Sequence, residues 1–188
     1  MKYKTMLAPT VVIAVALLLV HFFVNRTLQF TEEVIIEKPT GEVWEVLGNQ
    51  FAEPHLWATN FKASKPGGKP KLSGLAYKHR ATVTDNGDNW QELDSFDPTN
   101  YSLSYHISKG KPSIAKWATG SWKLTKISDT QTRLKVDFIL ETKGLPGFLM
   151  SPMVNKKVGK ASQEIVEEFK YYLENEKPHP RKLAALEK

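Results

Sequence analysis

The chain consists largely of strand-like segments and closes with one long amphipathic helix, an order that leaves few architectures open. Turn signals such as "DNGD", "DPTN" and "SDT" separate the segments, as in antiparallel strands joined by short connections. From Pro152 to Glu176 apolar residues recur at helical spacing, and Pro178 and Pro180 end this helix. The predicted strands are Leu28–Glu37, Gly74–Thr84, Trp90–Phe96, Tyr101–Lys109, Ile114–Ile127 and Gln131–Thr142.

Two short helical segments, "PTGEVWEVL" and "EPHLWAT", lie between the first strand and the others, and "KASKPGGKPK" is predicted as an exposed loop. A run of antiparallel strands with helices segregated from it is an α+β plan. One helix cannot cover both faces of such a sheet. We therefore expect a strongly curved antiparallel sheet of six to seven strands wrapped round the long C-terminal helix, with a cavity between them.

The N-terminal segment Met6–Val24, "MLAPTVVIAVALLLVHFFV", has no formal charge. About 20 apolar residues span a bilayer as a helix, and no small-residue cleavage site follows. The interpretation is an uncleaved transmembrane anchor, the alternative being a long signal peptide cut at an unusual site. Lys2 and Lys4 precede the segment, which predicts a single-pass membrane protein with its body on the periplasmic or extracellular side. The predicted units are an anchor over residues 1–26, a folded domain over 27–176 and a tail over 177–188.

Charge and composition exclude several function classes. The formal charge is +6, but residues 31–176 contain 19 basic and 19 acidic residues. The body therefore lacks the basic footprint of phosphate binding, and we expect no nucleic-acid partner. With no cysteine, the chain has no disulfide, zinc-thiolate site or cysteine nucleophile. The five histidines show no metal-ligand spacing and no phosphate-binding glycine motif is present, so we expect no metal and no cofactor.

Four stretches together resemble the START-like superfamily, also called helix-grip or SRPBCC, which includes polyketide cyclase/dehydrase-like and lipid-transfer domains. "VIIEKPTGEVWEVLGNQFAEPHLW" is similar to its opening, and "GLAYKHRATVTDNGDNWQELDSFDPTNYSLSYHISKG" to its middle. "IAKWATGSWKLTKISDTQTRLKVDFIL" resembles the paired strands that follow, and Pro152–Glu176 the gripping helix. The resemblance covers Leu28 to Glu176. It implies a cavity for an apolar ligand, and both enzymes and plain binders are known in the superfamily.

Glu92 and His79 are the candidate polar residues of that cavity. If the aromatic residues of Trp90–Phe96 point inward, alternation places Glu92 inward too. The same alternation would place His79 inward and Arg80 in solvent. The resemblance implies that Glu92 meets the polar end of a ligand. The alternatives are a structural pair with His79 and acid–base catalysis by the two residues together.

Aromatic and aliphatic residues supply the candidate walls. Tyr105 and Trp117 correspond to cavity-lining positions of the family, whereas Trp44 and Trp122 are interpreted as core. A bulge near Gly120 would exchange the faces of that strand and leaves the choice between Trp117 and Trp122 open. The predicted ligand-binding residues on the strands and short helices are Trp57, Tyr77, His79, Val83, Trp90, Glu92, Tyr105, Ile107 and Trp117.

The segment "GLPGFLMSPM" is more apolar than a connection needs. It is either a hydrophobic staple for the start of the long helix or a flexible lid over the cavity. The lid hypothesis adds Leu145, Phe148 and Met153 to the candidate ligand-binding residues.

These observations lead to a membrane-anchored domain that binds a lipid or another hydrophobic small molecule, with binding favoured over catalysis. The first alternative is a cyclase- or dehydratase-like enzyme that uses Glu92 and His79. The second is a protein-interaction module, which a filled interior would favour.

Overall fold

The computed structural model describes residues 11–16 and 24–187. Seven antiparallel strands form one sheet in the order β1-β7-β6-β5-β4-β3-β2. The first and last strands of the chain are paired along their whole length, from Thr27 opposite Glu141 to Ile36 opposite Thr132. The strands are β1 (Thr27–Ile36), β2 (Ala63–Gly67), β3 (His79–Thr84), β4 (Gly87–Asp97), β5 (Ser102–Lys109), β6 (Ala115–Lys126) and β7 (Thr132–Thr142).

Helical segments lie between β1 and β2 in the chain and after β7. Helix α1 (Thr40–Trp44) continues into a π-helical turn, Glu45–Asn49, and a 3₁₀ turn spans Pro54–Leu56. The long helix α2 (Gly144–Asn175) packs mainly against β1 and β7. A short helix α3 (Pro180–Leu186) follows it. The α+β architecture with a long C-terminal helix, predicted from the order of elements, is confirmed.

One hydrophobic core joins the sheet, the short helices and the second half of α2. Apolar residues of α2 at helical spacing, including Ile165, Phe169 and Leu173, face the inner side of the sheet. Trp122 of β6 meets the Phe169 ring edge-on at 5.8 Å between centroids. Such aromatic pairs add to the stabilisation that burial alone supplies. The interpretation of Trp44 and Trp122 as core residues agrees with their burial.

Three boundaries differ from the sequence expectation. The strand predicted over Gly74–Thr84 begins only at His79. The loop predicted over Lys62–Lys71 contains β2, whose proline and glycine are tolerated because β2 is an edge strand. Helix α2 begins at Gly144 and includes Pro152, eight residues into the helix. A proline removes the backbone N–H that would bond the carbonyl four residues earlier. Here that carbonyl, of Phe148, accepts a hydrogen bond from the Ser151 hydroxyl at 2.7 Å.

The predicted membrane anchor is not supported. Within residues 11–16 and 24–187, no helix is both long and apolar enough to cross a membrane. The predicted single-pass membrane localisation is therefore contradicted, and the predicted transmembrane helix is not found among the described residues. Residues 11–16 are helical, and Val24 is described as well, but the rest of Met6–Val24 lies outside the described residues.

Candidate functional site

A cavity of about 350 Å³ lies between the inner face of the sheet and α2. Strands β4 to β7 supply one wall, and α2 supplies Val158 and Ala161. The β3–β4 hairpin and the residues after β5 complete the lining at one end. The apolar lining residues are Phe30, Ile107, Pro112, Ala118, Phe138, Ile139, Leu140, Val158 and Ala161, and the polar ones include Asn60, Thr84, Asn89, Gln91, Tyr105 and Thr119.

Gln91 and Tyr105 are the buried polar side chains of this lining, with 5% and 6% of their surfaces exposed. The Gln91 side-chain carbonyl Oε1 accepts a hydrogen bond from Nε of Arg80 at 2.8 Å. Its amide Nε2 donates to Oδ1 of Asn89 at 3.2 Å, and the Thr82 hydroxyl donates to the same oxygen at 3.0 Å. The amide group of Gln91 is therefore held in one orientation.

Arg80 lies behind these residues with only 5% of its surface exposed. Nη1 donates to the backbone carbonyl of Phe51 at 2.7 Å, and the guanidinium carbon lies 4.1 Å from the centre of the Phe51 ring. The guanidinium carbon also lies 5.3 Å from the Tyr105 ring. Burial lowers the pKa of Arg80 to about 10, so the side chain remains a cation at neutral pH. Its hydrogen-bond partners in the described structure, Gln91 and Phe51, are neutral.

The faces of β3 and β4 are opposite to the sequence expectation at His79, Trp90 and Glu92. A bulge leaves Asp94 without a partner between the Leu93–Tyr105 and Ser95–Ser104 pairs, and a bulge exchanges the two faces of a strand. Phe96 can therefore pack against the core while Trp90 and Glu92 lie on the outer face.

The outer face also holds Val83, 39% exposed, because Arg80 and Thr82 of β3 are the residues that point inward. The prediction that His79 and Val83 point inward and Arg80 into solvent is wrong. Strand alternation specifies two sets of side chains but not which set faces the core.

Glu92 is paired with lysines rather than with His79. Its carboxylate lies 2.8 Å from Nζ of Lys78 and 3.0 Å from Nζ of Lys71. The hydrogen bond from Lys78 is the main cause that lowers the pKa of Glu92. His79 is Glu92's cross-strand neighbour but stacks on Trp90, with 4.4 Å between the ring centroids. These residues line an open depression on the outer face of the sheet, not the cavity.

The other predicted residues are divided between the cavity, the core and the surface. Tyr105 and Ile107 line the cavity, and their ligand-binding role stays a prediction. Trp57 is buried in the core, 4.9 Å from the Phe169 ring, and Tyr77 is half-buried against that core. Trp117 is half-buried and its indole N–H donates to the carboxylate of Glu141, its register partner on β7.

The segment predicted as a lid forms the first turns of α2. Phe148 and Met153 are 42% and 45% exposed, Leu145 is half-buried, and none of the three lines the cavity. Neither the flexible lid nor the hydrophobic staple before a helix start at Pro152 describes their position, because the helix begins eight residues before Pro152.

Gln91, Asn89 and Arg80 are the polar residues that sequence reasoning missed. A signal for them was present in "WQELDSF": Leu93 is its one aliphatic residue, and it shares strand parity with Gln91 and Asn89. If the inward face of this strand is assigned from Leu93 rather than from Trp90 and Phe96, Gln91 is predicted to point inward. Arg80 then follows, because it is the register partner of Gln91.

One family model matches most of the chain. The family model described as polyketide cyclase/dehydrase and lipid transport matches residues 27–174. The chain belongs to this family. The match spans β1 to the last turn of α2, so it includes every element that encloses the cavity. A comparison with curated proteins gave no match.

Solved structures of the START/SRPBCC superfamily share the fold. A START superfamily protein from Mycobacterium smegmatis superposes with a TM-score of 0.63 at 13% identity, over 78% of this chain and 97% of that one. The Zhui aromatase/cyclase from Streptomyces gives 0.58 at 14% identity, over 79% and 96% of the two chains. Norcoclaurine synthase from Thalictrum gives 0.57 at 10% identity, over 81% and 98%. At these identities the similarity establishes the helix-grip fold.

Proposed function

We propose that this protein binds a lipid or another hydrophobic small molecule in the cavity between the sheet and α2. The observation that carries the proposal is the cavity itself, which has a largely apolar lining and two buried polar side chains, Gln91 and Tyr105. Small-molecule sites commonly combine an apolar lining with a small number of placed polar groups, in volumes of about 300–1,000 Å³. The volume of about 350 Å³ falls within that range.

The arrangement of ionisable groups favours binding over the acid–base alternative. Glu92 and His79, the residues of that alternative, lie on the outer face of the sheet. A general acid or base must reach the reacting group of the substrate. Among the described lining residues the one carboxylate is Asp85, which is exposed on the β3–β4 hairpin and pairs with Lys62 at 2.5 Å.

The open cavity also counts against the protein-interaction alternative, which a filled interior would have favoured. The core residues around Phe169 are closely packed, whereas the space near Val158 and Ala161 of α2 is empty. A helix-grip domain that served only as a rigid scaffold for a partner would gain stability by filling this space.

Filling the cavity from α2 tests the proposal. Ala161 lines the cavity, whereas Gln163, two residues later on the same helix, is exposed. The full chain is titrated with N-phenyl-1-naphthylamine, a neutral apolar dye, as wild type, Ala161→Phe and Gln163→Phe. We expect saturable binding by the wild type and by Gln163→Phe, and a loss of about tenfold or more in Ala161→Phe, because the phenyl ring occupies the apolar space.

Thermal unfolding of the three proteins controls for damage to the fold. Ala161→Phe should keep a cooperative transition. Equal dye affinity in Ala161→Phe and Gln163→Phe would place the dye elsewhere and contradict the proposal, as would the absence of saturable binding by the wild type.

A further inference from the structure

We propose that the ligand of this cavity carries an anionic hydrogen-bond acceptor, of which a carboxylate is the simplest, and that Gln91 and Tyr105 bind this group in front of Arg80. The inference rests on the proposed function, because it specifies the chemical class of the molecule that the cavity takes. It predicts a preference for fatty or aromatic acids over alcohols and amines of the same size.

The orientation of the Gln91 amide is the first observation. A glutamine amide has a carbonyl oxygen that accepts and a nitrogen that donates two hydrogens. The bond from Arg80 Nε occupies the oxygen at 2.8 Å. One hydrogen of Nε2 bonds Asn89, which leaves the second for another acceptor. Because Gln91 lines the cavity, that acceptor can come from the ligand.

The second observation is the charge of Arg80. The guanidinium is buried against the rings of Phe51 and Tyr105, and its bonds go to a neutral amide and a backbone carbonyl. Taking a charge out of water is unfavourable unless an opposite charge or several dipoles compensate it. No ion pair of Arg80 is formed within the described structure. A ligand anion next to Gln91 and Tyr105 would supply the missing negative charge.

The third observation is the distribution of charge around the cavity. Asp85, the carboxylate among the described lining residues, belongs to the exposed hairpin and pairs with Lys62. The buried polar residues of the lining, Gln91 and Tyr105, both contact the cationic side chain of Arg80. The low dielectric there strengthens the attraction of an anion and the repulsion of an ammonium group.

Three probes of equal chain length separate charge from apolar contact. Decanoate, 1-decanol and decylamine are titrated into the full chain at pH 7.5 by displacement of N-phenyl-1-naphthylamine. We expect decanoate to bind about tenfold more tightly than 1-decanol, as for a hydrogen bond to a charged group, and decylamine to bind most weakly.

Gln91→Glu is the decisive variant. Glutamate is nearly the same size as the glutamine it replaces, and it gives Arg80 a counter-ion within the protein. Decanoate affinity should fall by about tenfold or more, while 1-decanol affinity changes little. Gln163→Glu adds the same charge on the exposed face of α2 and should leave all three affinities unchanged. If Gln91→Glu does not fold, Gln91→Leu serves in its place, because it removes the amide donor and should reduce decanoate binding selectively.

The outcomes distinguish the inference from the proposed function. Equal affinities of decanoate and 1-decanol for the wild type would overturn the anionic preference and leave hydrophobic binding intact. A decanoate preference that survives in both Gln91→Glu and Gln91→Leu would also overturn it, because the preference would then come from another site. If none of the three probes displaces the dye, the proposed function fails together with the inference.

Discussion

At the residue scale, Tyr105 fits beside the cavity because Gly120 stands opposite it on β6. A Cβ atom on Gly120 would lie 2.6 Å from Cζ and 2.7 Å from the hydroxyl oxygen of Tyr105. Such distances force one group to move. Gly120 thus sets the position of one of the two buried polar side chains that line the cavity.

Gly120→Ala should therefore lower the free energy of unfolding by about 1–3 kcal/mol, the usual cost of overpacking a closely filled site. Urea denaturation measures this change. The control is Gly41→Ala in α1, where a Cβ would meet no atom within 4 Å, and alanine there should be neutral or stabilise by up to about 1 kcal/mol. A Gly120→Ala protein as stable as Gly41→Ala would show that Tyr105 moves aside freely.

His79 links stability to pH at the same scale. Its ring lies between Trp90 and the backbone of Gly67 and Gly68. Burial lowers the pKa of His79, an effect that the charge of Glu92 opposes and that of Lys78 reinforces. The folded protein therefore binds the His79 proton less readily than the unfolded chain, whose histidine has a pKa of about 6.5.

We expect the stability that the neutral, buried His79 contributes to be fully present above about pH 6.5. It should be lost as the pH falls toward the folded-state pKa of His79, because the unfolded state then binds more protons. His79→Gln should remove that part of the pH dependence. Unfolding free energies of both proteins, measured by urea denaturation from about pH 5 to 7.5, provide the test. Parallel curves for the two proteins would contradict the effect of burial.

At the element scale, α3 binds the domain through two adjacent basic residues. Lys182 is buried and donates to the backbone carbonyl of Phe61 at 2.8 Å. Arg181 contacts the carboxylate of Glu168 on α2 at 3.0 Å, and Glu168 also accepts bonds from the backbone N–H and hydroxyl of Thr59. The chain after α2, predicted as a short helix or a disordered tail, thus joins α2 to the segment before β2.

Arg181→Ala should reduce the free energy of unfolding by about 1–3 kcal/mol, because Glu168 is buried and loses its cationic partner while Thr59 remains. Lys177→Ala removes the same charge at an exposed position and should change stability by less than about 0.5 kcal/mol. Equal free energies of unfolding for the two variants would mean that the contact between Arg181 and Glu168 contributes nothing to stability.

At the scale of the whole molecule, pairing of the first strand with the last brings both ends of the domain to one edge of the sheet, where α2 packs against β1 and β7. The curved sheet and the helix meet closely around Phe169 and separate near Val158, so one half of the interior is a core and the other half is the cavity. Local sequence specifies the elements, but this division depends on how α2 lies across β1 and β7.

The sequence by itself determined the order of elements, most strand positions and the family resemblance, because alternation, turn residues and helical spacing are local signals. The bounds predicted for β5 differ from the observed ones by one residue, and Tyr105 and Ile107, predicted to face the cavity, are among its lining residues. The sequence missed β2, whose composition is that of a loop and whose hydrogen bonds come from β3.

Only the tertiary structure decided which faces of β3 and β4 are inside. Both faces of β4 contain apolar and polar residues, and the inward face of β3, with Arg80, Thr82 and Thr84, is the wholly polar one. The bulge at Asp94 and the pairing of Arg80 with Gln91 therefore had to be known first. The burial of Arg80 also depends on a carbonyl, that of Phe51, which is 29 residues away in the chain. Pairing a charged side chain with a distant backbone group leaves no pattern in the sequence, because every residue offers the same carbonyl.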